Sequence, residues 1–220
     1  MKGNITGSDG SGRRFKAICF DFDGVLGRTM DDNYLAWVHA FSKHYLDIQK
    51  EDYFLIEGYS ARKVAEHFAG AMARDGVIES LVGLKEEFYR RNSSFSFYDG
   101  VEEIVADLRK KGYRLGVVSG ASFARLSSTA GAEFLSNFDS IVTGDRVVNC
   151  KPHPEPYLKA AAALGVEPGE CVVIENAPMG IDAAKSAGMY CIAIASTLDK
   201  NHLSRADLVL SDFTDLGSLF

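Results

Sequence analysis

Six short runs of this chain are apolar without alternation: 17–20, 115–119, 140–143, 171–174, 191–195 and 208–210. A strand with one wet face reads apolar and polar in turn, so uninterrupted runs of this length point to parallel strands covered on both faces. Between them lie helical patterns. In 101–111, Ile104, Val105 and Leu108 share one stripe that closes at Gly112. The stretch 154–164 opens on prolines and closes at Gly165, and 178–187 closes at Gly188, the asymmetry expected of helix ends. Strands and helices alternating in this way predict an α/β protein: a doubly wound, mostly parallel sheet with right-handed crossovers.

One interval breaks the alternation. Between Met30 and Phe97 no strand pattern occurs, only three helix-like stretches at 33–46, 60–74 and 78–91; the first carries Leu35, Val38, Phe41, Tyr45 and Leu46 at helical spacing. A helical insert directly after the first strand stands over the carboxyl edge of the sheet, where such folds bind ligands. The expected division is therefore a flexible, Gly/Ser-rich N-terminus at 1–14, an α/β core from 15–29 and 98–220, and a helical cap over 30–97.

Composition removes several classes of function. A net charge of −6 disfavours a nucleic-acid partner, which needs a basic face. No apolar signal core and no run of ~18 apolar residues occurs, so the expectation is a cytoplasmic protein without a membrane partner. The four cysteines form no CxxC pair, three of them sit in apolar runs, and the five histidines lack ligand spacing, which argues against zinc. A monomer or weak dimer is expected.

Polar residues then gather where the strands end: Asp21 and Asp23 after the first, Ser119 with Gly120 after the second, Lys151 a short loop beyond the third, Glu175 and Asn176 after the fourth. In an open parallel sheet those ends meet at one crevice. The group suits phosphoryl transfer from a small-molecule phosphate ester through an aspartyl intermediate. A carboxylate attacks phosphorus, and a hard divalent cation with oxygen ligands, most naturally Mg²⁺, neutralises the charge. Asp21, Glu175 and Asn176 offer such oxygens, as does the backbone carbonyl of Asp23. Lys151 and the Ser119 hydroxyl suit the remaining phosphoryl oxygens. Asp23 suits the general acid and base, which requires its pKa to rise above the ~3.9 of a free aspartate in a crowded anionic site. Gly24 permits a sharp turn close to the phosphate.

These stretches, DFDGVL (21–26), VVSG (117–120), CKPHPEPY (150–157) and VIENAPMGIDAAKSAG (173–188), resemble the haloacid dehalogenase-like (HAD) superfamily. The pattern is nearest its branch with a small helical cap, that of sugar-phosphate phosphatases and β-phosphoglucomutase. The resemblance spans nearly everything after the N-terminal tail. It implies Asp21 as nucleophile, Asp23 as general acid/base, Ser119 and Lys151 as phosphate holders, and Glu175 with Asn176 on the metal side.

The chain departs from that pattern in places. Asn176 stands where most relatives have aspartate, and brings less charge to a metal. Cys150 replaces a small residue, Asp99 a turn proline, and Arg28 a polar residue after the strand. Asp182 reads as an exposed helix residue. In the cap, GYSARK (58–63) resembles the loop that meets substrate in the mutase-like branch, where the planar fork of Arg62 suits a second phosphate or a sugar hydroxyl; the alternative is an exposed Arg62 with Lys63 pointing inward. Asn33 lies where a mutase carries a histidine nearby for proton relay, which favours hydrolysis, and Trp37 reads as core. The expected function is a Mg²⁺-dependent phosphatase acting on a small phosphorylated metabolite, such as a sugar phosphate. A phosphomutase, or a silent binding or regulatory protein disarmed at Asn176, stands as the alternative. A dehalogenase has no need of Asp23, and a phosphoacceptor receiver domain is shorter and lacks an insert.

Overall fold

The computed structural model describes residues 15–220; the flexible tail expected at 1–14 lies outside the described residues. Six strands form one parallel sheet in the order β3-β2-β1-β4-β5-β6: β1 (Ala17–Phe20), β2 (Arg114–Ser119), β3 (Ser140–Thr143), β4 (Cys171–Glu175), β5 (Tyr190–Ile194) and β6 (Leu208–Leu210). Successive residues of β1 explain its uninterrupted apolar run. Ile18 and Phe20 enter one buried layer and Ala17 and Cys19 the other. The first layer is closed by α5 (Val101–Lys110), α6 (Phe123–Ala130) and α7 (Ala132–Leu135), the second by α8 (Glu155–Leu164) and α9 (Pro178–Ser186). Burying a large side chain such as Phe20 on this scale contributes about 1.5–3 kcal/mol.

Chain order reverses between β1 and β4, so a crevice opens outside their carboxyl ends. Over that edge lie the four helices that follow β1: α1 (Met30–Ser42), α2 (Lys50–Leu55), α3 (Ala61–Ala69) and α4 (Asp75–Asn92). They enclose a third apolar cluster that includes Trp37, Phe41, Phe54, Ile78 and Leu81, and Leu198 from the loop after β5 joins it. The segments entering and leaving this insert are bonded to each other. Arg28 N–H donates to Ser96 O at 2.9 Å and Tyr98 N–H to Leu26 O at 3.1 Å, beside an antiparallel bridge between Gly27 and Phe97.

The insert differs from its sequence pattern at the helix ends. Helix α1 stops at Ser42 rather than 46, because the chain turns through Tyr45 with φ 58° and leaves that ring fully exposed. Helix α3 stops at Ala69, where Gly70 takes φ 50°. Helices α2, α6 and α7 have no counterpart among the sequence expectations. No helix among the described residues is long and apolar enough to cross a membrane.

Candidate active site

The turn after β1 is closed by Leu26 N–H and Gly27 N–H donating to Phe22 O at 3.0 and 2.9 Å. This places Asp21 and Asp23 on the crevice side, both buried. Gly24 adopts φ 88°, and a Cβ there would lie 2.2 Å from the Asn176 amide nitrogen, so only glycine lets the turn approach β4 so closely.

Two charge clusters result. In the first, the Lys151 ammonium donates to Asp21 Oδ1 at 2.5 Å, Glu175 Oε1 at 2.7 Å and Val118 O at 3.2 Å. Glu175 is fully engaged: Oε1 also accepts from the Tyr157 hydroxyl at 2.6 Å, and Oε2 from the N–H groups of Asn176 and Ala177. A Cβ at Gly180 would fall 1.7 Å from Glu175 Oε1, so that glycine makes room for the carboxylate. Burial, opposed by Lys151, raises the Asp21 carboxyl well above the usual carboxylate range. Burial also works against charge on Lys151, but Asp21 and Glu175 outweigh it and raise its pKa.

The second cluster surrounds Asp23. Its Oδ1 accepts from the Thr29 hydroxyl at 2.6 Å, the Asn33 amide at 3.0 Å and Arg125 Nη1 at 3.4 Å; its Oδ2 accepts from Arg125 Nη2 and the Ser119 hydroxyl, both at 3.3 Å. Arg125 Nη1 also donates to Asn33 Oδ1 at 3.0 Å, and the guanidinium lies over the Tyr89 ring. Here the structure corrects an expectation. Burial pushes the Asp23 pKa up, yet Arg125 and the Thr29 hydroxyl together outweigh it and hold the carboxyl below the usual range. Crowding among acids suggested the opposite sign, because the pairing cation comes from a distant helix.

At the strand ends Asp21 Oδ2 and Asn176 Oδ1 are buried without a hydrogen-bond partner; the Asn176 amide nitrogen donates to Thr197 Oγ1 at 2.9 Å. Unpartnered buried oxygens of this kind suit a hard cation such as Mg²⁺. Of the four residues expected on the metal side, Asp21 and Asn176 present free oxygens, whereas the Asp23 and Glu175 side chains are committed to protein donors. Among the described residues no three His, Cys, Asp or Glu side chains cluster as a ready-made metal site.

Gly120 packs against the insert, since a Cβ there would lie 2.7 Å from Tyr59 O. A cleft of about 370 Å³ opens there, lined by residues of both parts of the chain, Asn33, Glu57, Lys85 and Arg125 among them. Arg62 lies on its rim, half exposed, with its guanidinium paired to Glu66 and Asp75. Lys63 is exposed and stands over the Tyr59 ring. Trp37 is buried in the insert's core, Asp182 pairs with Arg205, and Arg28 pairs with Asp99 across the Tyr98 ring. Cys150 is buried. Sequence reasoning missed Thr29, Arg125, Tyr157, Glu57 and Lys85. Only Tyr157 lies in a quoted motif, at the end of CKPHPEPY (150–157).

Lys85 offers a test by titration. Burial, then the charge of Arg125, lowers its pKa to about 8 despite the 2.9 Å bond to Glu86 Oε1. Between about pH 8 and the ~10.4 of a free lysine, the unfolded chain therefore holds a proton that the folded chain has released. The contribution of Lys85 to stability should therefore rise with pH across that window, so native protein should gain on Lys85→Met from pH 7.5 to 10. Urea midpoints of both proteins at pH 7.5 and 10 measure the difference; parallel slopes would refute it.

The family model described as haloacid dehalogenase-like hydrolase matches residues 18–194. Among curated proteins, validoxylamine A 7'-phosphate phosphatase of Streptomyces hygroscopicus subsp. limoneus is 31% identical over 206 residues, covering 92% of this chain and 96% of its own length. Protein SUPPRESSOR OF QUENCHING 1, chloroplastic, of Arabidopsis thaliana is 32% identical over 204 residues; the match covers 88% of this chain and 19% of that longer protein. Among solved structures, β-phosphoglucomutase from Clostridium difficile superposes with a TM-score of 0.81 at 26% identity, covering 92% of this chain and 93% of its own.

Proposed function

The chain belongs to the haloacid dehalogenase-like hydrolases, and within that family we propose that it is a Mg²⁺-dependent phosphatase of small sugar or polyol phosphates. The observation that carries this reading is Asp21: a buried carboxylate with one oxygen on Lys151 and the other free, set beside a second carboxylate at Asp23. The relatives' names, one a validoxylamine A 7'-phosphate phosphatase and one a β-phosphoglucomutase, support the same chemistry.

In this reading Asp21 attacks phosphorus, and the bond to the leaving oxygen breaks as Asp23 protonates it. Asp23, now a carboxylate, then takes a proton from water, whose oxygen attacks the aspartyl phosphate and frees Asp21 and inorganic phosphate. Lys151 and the Ser119 hydroxyl hold the phosphoryl oxygens. For the first step Asp23 takes up the proton that Arg125 disfavours, while the guanidinium stays paired with it. Asp21, Asn176 and the backbone carbonyl of Asp23 would hold Mg²⁺, which supplies charge neutralisation between nucleophile and phosphate. The helices of the insert serve as the cap over this crevice. Hydrolysis is favoured over mutase chemistry by Asn33, which meets Asp23 with an amide that has no titratable proton to relay.

Phosphate release from a panel of sugar and polyol phosphates, with Mg²⁺ and with chelator, tests this reading. Metal-dependent turnover is expected, and Asn176→Asp should lower the Mg²⁺ concentration for half-maximal rate on the order of tenfold, through added ligand charge. No release from any ester, or release indifferent to chelator, would overturn it.

A further inference from the structure

Glu57 is a carboxyl that the reaction does not use. It follows α2 in the insert, lines the cleft and is 7% exposed; its carboxylate takes a backbone hydrogen bond at Gly58, and its Oε2 is buried without a hydrogen-bond partner. Gly58 beside it adopts φ 99°, and a Cβ there would lie 2.8 Å from Lys151 Cδ, so this loop rests directly on the side chain that holds Asp21.

The cations lining the same cleft are already committed. Arg62 is paired with Glu66 and Asp75, Lys85 with Glu86, and Arg125 with Asp23. Lys151 lies beneath the Gly58 loop, outside the cleft lining, so the transferred phosphoryl meets its cation there while the rest of the ester meets the unmatched carboxyl of Glu57 in the cleft. A second phosphate or carboxylate placed there would lose its water without gaining a counter-charge, a large penalty. A hydroxyl would instead complete Glu57.

We propose that Glu57 determines specificity by hydrogen bonding a hydroxyl of the leaving group, so that the cleft accepts monophosphates of uncharged polyhydroxyl compounds and rejects esters with a second acidic group. The inference rests on the phosphatase reading. The environment of Glu57 agrees with it: burial, then the charge of Asp23, lifts its pKa to about 8. Near neutral pH the carboxyl then both donates and accepts, as a hydroxyl does. The cleft volume of about 370 Å³ is that of a small-molecule site.

The test compares kcat/KM for a hexitol monophosphate, a hexose bisphosphate and phosphoglycolate, with an aryl phosphate as a check that the native protein turns over. Native protein should favour the hexitol monophosphate over both others by about tenfold or more. Glu57→Met, which keeps volume and removes the hydrogen bond, should lose about tenfold on the hexitol ester, mainly in KM. Glu57→Lys should shift the preference toward the bisphosphate by about tenfold. Native protein that hydrolyses the aryl phosphate but prefers the bisphosphate or phosphoglycolate, or shows no preference, overturns the inference alone and needs no variant to do so. Unchanged preference in both variants, with native circular dichroism, overturns it too. Absence of turnover on every ester, the aryl phosphate included, defeats the phosphatase reading and the inference with it.

Discussion

Asp21→Asn should lower kcat by about 10⁴-fold or more while leaving the protein folded. The amide keeps the shape of the carboxyl but cannot form the covalent intermediate, and losses of this order follow removal of a nucleophile. Two features of the structure separate this outcome from simple unfolding. Lys151 retains Glu175 at 2.7 Å when Asp21 loses its charge. The raised pKa of Asp21 also means that burial disfavours its charge more than Lys151 favours it, so a neutral side chain costs no stability there. The melting temperature of the variant should match or exceed that of native protein. Acid-quenched native protein should carry a phosphoryl adduct, detected by mass spectrometry, that Asp21→Asn lacks. A variant retaining more than about 1% of the rate would exclude Asp21 as nucleophile.

Lys151→Met should produce the largest loss of stability. Its ammonium bridges Asp21 and Glu175, each about 1% exposed or less, and removing it leaves Glu175 an uncompensated carboxylate in a dry crevice, beside an Asp21 whose charge burial already disfavours. Breaking a buried charge network from one side costs about 3–5 kcal/mol, which lowers the melting temperature of a chain this size by about 10 °C. Adding Glu175→Gln should recover part of the loss, because the amide removes one unpaired charge while Tyr157 keeps a partner. Thermal melts of the native protein, the single variant and the double variant measure both effects. A Lys151→Met protein melting within about 2 °C of native would contradict the account.

The parts that were legible in the sequence share one physical reason. In β1 and β4, neighbouring residues face opposite layers that are both apolar, as Val172 and Ile174 against Cys171 and Val173 show, so the strands stand out as unbroken runs. Their carboxyl ends converge by topology, and the acids, Ser119 and Lys151 meet in the crevice for that reason. Helix α6 was illegible because only Leu126 and Ala130 of its eight residues are buried, and polar Ser127, Ser128 and Thr129 between them break any apolar stripe. Arg125 was hidden with it. Nothing near Arg125 in the chain announces a partner 102 positions away at Asp23, and without that partner the sign of the Asp23 shift came out reversed. Glu57 was passed over for a similar reason: its burial depends on how the insert lies over the sheet, which local patterns do not specify.

The short ribbon joining Arg28 to Ser96 and Leu26 to Tyr98 has a consequence for how such a protein diversifies. The chain departs from the α/β layer and returns to it at neighbouring points, so to the sheet the whole insert is a detour of almost no span. Lengthening, shortening or reshaping the detour places no tension on β1. Asp21 and Asp23 belong to one side of that junction and Glu57 to the other. On the proposed reading, the molecules accepted can change with the insert while the strand-end acids stay, so long as Asn33 keeps its bond to Asp23 and the Gly58 loop its seat on Lys151.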